Sequence, residues 1–146
     1  SLVQSIGIIG SILLTSVMLG RDRRSRRIGD HLALAAQHRE LWADMHRCPE
    51  LARVTASSGI DLVATPLATV EEEFLLQVMA HYHTGWLLAC RGALVDLDVL
   101  SRDAGAFFSL PLPADVWSRS KDVRDPAFVR FIDAAVSRCQ GVVSSV

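Results

Sequence analysis

The sequence predicts an all-α protein, with a single transmembrane helix at the N-terminus followed by a small helical bundle of about four to five helices. Three observations carry this expectation. Residues 2–19 hold no charged side chain, and Arg21, Arg23, Arg24, Arg26 and Arg27 follow at once. Beyond them, apolar residues recur at spacings of three, four and seven, the period of one helix face. No segment sustains the strict alternation of a half-buried strand.

An uncharged stretch of eighteen residues, wound as a helix, spans about 27 Å, close to the hydrocarbon thickness of a bilayer. Positive charge behind such a span is retained on the cytoplasmic side, where anionic headgroups attract it. Residues 1–20 are therefore expected to be a transmembrane anchor, and residues 21–29 a basic collar whose five arginines contact lipid headgroups. The protein is expected in the cell inner membrane, single-pass, with its C-terminal domain cytoplasmic. A cleaved signal peptide would carry its charge before the apolar core and a small-residue site after it. A helix buried in a soluble domain is the competing reading, because Gln4, Ser5, Ser11, Thr15 and Ser16 dilute the apolar character. Gly7 and Ser11 form a small-x-x-x-small step that Thr15 extends, which points to weak homodimerisation through the span.

Charge divides the chain at the same place. Residues 21–27 hold five Arg and one Asp, a net of +4, while the rest holds ten basic and fifteen acidic side chains, a net of −5. Nucleic-acid binders interleave aromatics with basic residues or spread them over a folded face. This run does neither, so no nucleic-acid partner is expected. The three cysteines, Cys48, Cys90 and Cys139, are an odd number without paired spacing, which fits free thiols in a reducing compartment.

Residues 30–140 are expected to form the bundle. A first helix should run from Asp30 as N-cap to Met45 or His46, with Leu34, Leu41, Trp42 and Met45 on one stripe. Cys48-Pro49 ends it, since a residue before proline is pushed out of the helical region. Pro49 then suits the first turn of a short helix carrying Leu51 and Val54. Residues 55–68 read as a loop. Thr69-Val70-Glu71-Glu72 matches a capping box, with Glu71 to Glu73 complementing the helix dipole. The helix behind it should reach Leu100 as the central helix of the bundle; a second membrane span is the alternative, made expensive by Gln77, His81 and His83. Arg102 to Pro113 reads as a break, and Pro113 or Ala114 opens a short helix through Trp117. Asp125-Pro126 pairs an N-cap with an N1 proline, and Phe128, Phe131, Ile132, Ala135 and Cys139 stripe the last helix. Gly141 is expected to stop it, leaving residues 141–146 as a flexible tail.

Taken in order, the uncharged span, the arginine collar, His31 to Leu34, Gln37 to Trp42, Cys48 to Val54 and Asp125 to Phe131 resemble a family of uncharacterised actinobacterial proteins. That family has one N-terminal membrane helix and a small cytoplasmic helical domain. The resemblance implies topology and fold, and no catalytic residue.

Candidate chemistry is sparse. His81, His83 and Cys90 form the densest ligand-like cluster, yet residues two apart on a helix diverge by about 200°, so His81 and His83 cannot face one metal without other partners. His83 and Cys90, seven apart, share a face but supply two ligands only. His31 and His38, also seven apart, could meet the central helix. Asp96 and Asp98 diverge as well, and no phosphate-loop, dinucleotide, nucleophile-elbow or zinc-protease motif occurs. No metal, cofactor or catalytic residue is expected. The sequence reads as a membrane-tethered interaction or regulatory module with an unidentified protein partner. The alternatives are a small-ligand sensor with a pocket inside the bundle and, third, a small enzyme using a His/Cys/carboxylate site.

Overall fold

The computed structural model describes residues 26–92 and 95–143. The expected span, with Gly7, Ser11 and Thr15, and three collar residues, Arg21, Arg23 and Arg24, lie outside the described residues. Within them all regular structure is helical. No helix there is long and apolar enough to cross a membrane, which removes the second-span reading of the central helix.

Helix α1 covers residues 26–47. It begins before Asp30, which sits inside the helix rather than at its cap, so Arg26 and Arg27 belong to the helix. Arginine is a good helix former, and the apolar stripe needs no new start at Asp30. The expected stripe is the face that packs: Leu41 is buried, and Leu34, Trp42 and Met45 are half-buried. Cys48 then turns extended (φ −107°, ψ 100°), and Pro49 opens a short 3-10 helix, Pro49–Thr55, that buries Leu51 and Val54. The loop behind it holds one tight turn, in which the Asp61 carboxylate accepts from the amides of Val63 (2.9 Å) and Ala64 (3.1 Å).

Helix α2, Thr69–Cys90, starts one residue earlier than the capping motif suggests. Ala68 occupies the cap, and the Glu71 carboxylate reaches back to its N–H at 2.8 Å. Glu72, expected to close the box, instead pairs with Arg119 at 3.1 Å. Glu71 is 1% exposed, and the second demand on it comes from Arg53 Nε at 3.4 Å. One buried carboxylate thus holds the start of α2 and the short helix before it. The buried side of α2 carries Phe74, Leu75, Val78, Met79 and Tyr82.

The long helix expected to run to Leu100 is two helices. α2 stops at Cys90, and Gly92 takes a left-handed conformation (φ 72°) that a side chain would resist. Asp96 caps α3, Leu97–Phe108, accepting from the amides of Asp98 (2.8 Å) and Val99 (3.2 Å). The expected break at Arg102 to Pro113 is therefore mostly helix. Its Gly105 sits where α3 meets α5: a Cβ there would lie 2.6 Å from the Ala135 carbonyl oxygen.

Helix α4, Pro111–Ser120, opens at Pro111, two residues before the expected start; Pro113 falls within its first turn, where a missing N–H leaves no helix bond unmade. Helix α5, Pro126–Val143, is capped by Asp125, which accepts from Ala127 N at 2.7 Å and Phe128 N at 3.2 Å. It continues through Gly141 instead of ending there. Phe108, Phe128, Leu75, Met79, Leu112 and Ile132 fill the centre. Around them Tyr82, Phe107, Phe108, Trp117 and Phe128 make a chain of edge and stacked aromatic contacts. The indole N–H of Trp117 donates to Asp133 at 2.8 Å, so this buried ring keeps its polar atom satisfied.

Candidate functional site

Helix α1 reaches the body of the bundle through its C-terminal half, where Trp42 meets Phe107 edge-on at 6.5 Å. Its N-terminal half is exposed apart from Leu34. Between that half, the middle of α2 and the start of α3 lies an open cleft of about 530 Å³. Leu34, Ala35, Val95, Val99 and Leu100 give it apolar walls, and His31, His38, Arg39, His81, Asp96 and Asp103 bring polar groups to it. His38 and Asp103 also line a second groove of about 440 Å³, which continues over Trp42, Tyr82, Phe107 and Leu110. Beneath it the described residues leave little room. The void bounded by Leu41, Trp42, Phe74, Val78 and Tyr82 holds about 10 Å³, no more than one water.

The polar centre of the cleft is a chain of three side chains. His81 is 8% exposed, with Nδ1 at 3.3 Å from Gln37 Oε1 and Nε2 at 3.2 Å from His38 Nδ1. With the amide oxygen accepting, Nδ1–H of His81 donates to Gln37 and Nε2 accepts from Nδ1–H of His38. Burial, reinforced by the neighbouring His38, holds His81 below the ordinary imidazole value of 6.5. Tyr82 beside it is pushed above the ordinary phenol range, first by burial and then by the negative charge of Asp103. The Tyr82 hydroxyl therefore stays neutral and cannot serve as a base near neutrality.

Of the cluster His81, His83 and Cys90, the structure brings His81 alone to the cleft, where His31, His38 and Asp96 also lie. His83 lies on another side of α2, stacked on Trp86 (5.9 Å, 22°) and close to Phe128 (4.7 Å), with its Nε2 buried and without a hydrogen bond. Cys90 is exposed at the end of the helix. Among the described residues no group of three or more His, Cys, Asp or Glu side chains is arranged to hold a metal. Among the described residues the hydrogen-bond partners of the pair are each other and Gln37, not a carboxylate.

His38 meets α2, as its spacing from His31 suggested. Gln37 and Asp103 are the members that sequence reasoning missed. Gln37 precedes a histidine that already had a candidate role, and Asp103 sat in a stretch read as a break. Arg26 and Arg27 of the collar are exposed on α1. No protein-family model matches the chain, and no curated protein or solved structure does so either.

Proposed function

We propose that the chain is a membrane-tethered helical interaction module, held at the cytoplasmic face by residues 2–19 and receiving a protein partner in the cleft between α1 and α3. The observation that carries this reading is the open, largely apolar cleft. A pocket built to enclose a small molecule buries most of its ligand, whereas this cleft opens along one side. Exposed apolar residues continue from it along both walls, with Ile28 and Leu32 on α1 and Leu97 and Val99 on α3. Uncovered apolar surface of this kind marks contact sites. The arginine collar supports the tether, since headgroup attraction adds to the affinity of an apolar span.

A small-ligand sensor is the second reading. What favours it is the cleft's size, within the usual range for ligand sites, and the His38–His81–Gln37 chain at its centre.

Photo-cross-linking in native membranes separates the two. A photoreactive residue at Ala35 or Val99 of the full chain should give a discrete protein adduct, and one at Ala134 on α5 should not. Equal labelling from both faces, or none from the cleft, refutes docking there. A small molecule recovered on Ala35 and Val99 instead establishes the sensor. Alkaline extraction of the same membranes tests the tether, which a fully released chain would refute.

A further inference from the structure

At the cleft α1 meets α2 through two imidazoles and the Gln37 amide, with Leu34 over Gly85 as the apolar contact one turn upstream. We propose that the His38–His81 pair is an acid-operated latch, holding α1 against α2 when neutral and releasing it, with the loss of the cleft, when doubly protonated.

The argument follows the protons. Neutral, the pair holds two ring protons: one on Nδ1 of His81, given to Gln37 Oε1, and one on Nδ1 of His38, given to Nε2 of His81 across 3.2 Å. A third proton can be accommodated. It goes to Nε2 of His38, the exposed ring, whose Nδ1–H still donates to Nε2 of His81, so His81 stays neutral. A fourth proton cannot be accommodated, because it sets N–H against N–H and cation against cation at the same separation. The contact then opens, and each ring takes up solvent.

The surroundings do little to offset this. On α1 the neighbouring groups are Gln37, Trp42, Arg39 and, one heptad upstream, His31. On α2 it is Tyr82, which is neutral. On α3 Asp103 lines the cleft, with Asp96 farther along, and neither accepts a hydrogen bond from either imidazole. Apart from Leu34, the half of α1 upstream of His38 is exposed, so little apolar burial holds it once the pair separates. The sign agrees with the shift at His81: its bound-state value lies below 6.5, so the open state binds more protons as pH falls below 6.5. Each proton taken up on opening makes opening about tenfold more favourable per pH unit within that window.

Hydrogen–deuterium exchange of the full chain, compared between about pH 7.5 and about pH 5.5 and corrected for intrinsic rates, reads the latch directly. Protection of α1 should fall about tenfold or more across this range while α5 stays protected. His81→Gln, which still offers a donor and an acceptor but does not titrate, should protect α1 equally at both values. If His81→Gln already lowers protection at the higher pH, His38→Gln at an exposed position is the control: burial still disfavours charge on His81 there, so the drop should shrink but persist. A wild-type profile without a drop specific to α1, a drop that survives in His81→Gln, or one undiminished in His38→Gln overturns the latch. No partner enters the measurement, so its outcome is independent of what docks in the cleft.

Discussion

Replacing Gly105 with alanine tests how closely α3 and α5 approach. An added Cβ would meet the carbonyl oxygen of Ala135 at 2.6 Å and its carbon at 3.1 Å. Ordinary contact begins near 3.4 Å, so the helices must part by roughly 0.8 Å or tilt, and a backbone oxygen cannot rotate aside as a side chain would. Overpacking of this kind costs about 1–3 kcal/mol. Alanine returns about 1 kcal/mol through its better helix propensity, which leaves a net loss of about 1–2 kcal/mol because the clash is with backbone. Urea unfolding followed by circular dichroism should show a lower midpoint at unchanged slope. Gly29→Ala provides the matched control, since a Cβ there meets nothing within 4 Å, and it should stabilise by about 0.5–1 kcal/mol. A Gly105→Ala protein as stable as the wild type would mean that α3 and α5 do not pack as described.

Further expectations concern single interactions and the domain boundary. Glu71→Ala removes a buried carboxylate from both the Ala68 amide and Arg53, and should cost about 1–3 kcal/mol in the same unfolding assay, discounted because Arg53 is partly exposed. Asp125→Ala deletes the N-cap of α5 and should cost about 1 kcal/mol, with Asp125→Asn retaining most of the stability. A chain lacking residues 1–25 should remain folded, with a mainly helical circular dichroism spectrum and a cooperative melt, because among the described residues the buried core is supplied from Leu41 onward. An unfolded or aggregated product would instead place the N-terminal segment within the core.

Proline and capping chemistry made several elements legible. Pro49 and Asp125-Pro126 act over one or two residues, so their effect survives any tertiary arrangement. The α2–α3 break was hidden for the opposite reason. Arg91-Gly92 is a weak stop, and Asp96 looked like one of two diverging acids until its carboxylate proved to cap Asp98 and Val99. Gly105 reads as a helix breaker in sequence but is a packing residue, because its role depends on Ala135, thirty residues away. The site follows the same pattern. Period seven on α1 pointed His38 toward α2, whereas its pairing with His81 rather than His83 depends on the rotation of α2. That rotation is set by the burial of Phe74, Val78 and Tyr82, not by any local signal.

Because residues 26–47 are one unbroken helix, the collar and the cleft share a rotational phase. Arg27 and His38 are eleven residues apart, about three full turns, so Arg27, His31, Leu34 and His38 fall on one line along the cylinder. The direction in which Arg27 faces is thereby indexed to the histidine pair by residue count alone. A single alanine inserted between Asp30 and His31 would swing Arg26 and Arg27 by about 100° relative to the cleft without altering a side chain in either. Helix α1 is, in effect, a keyed shaft between Arg27 and the cleft.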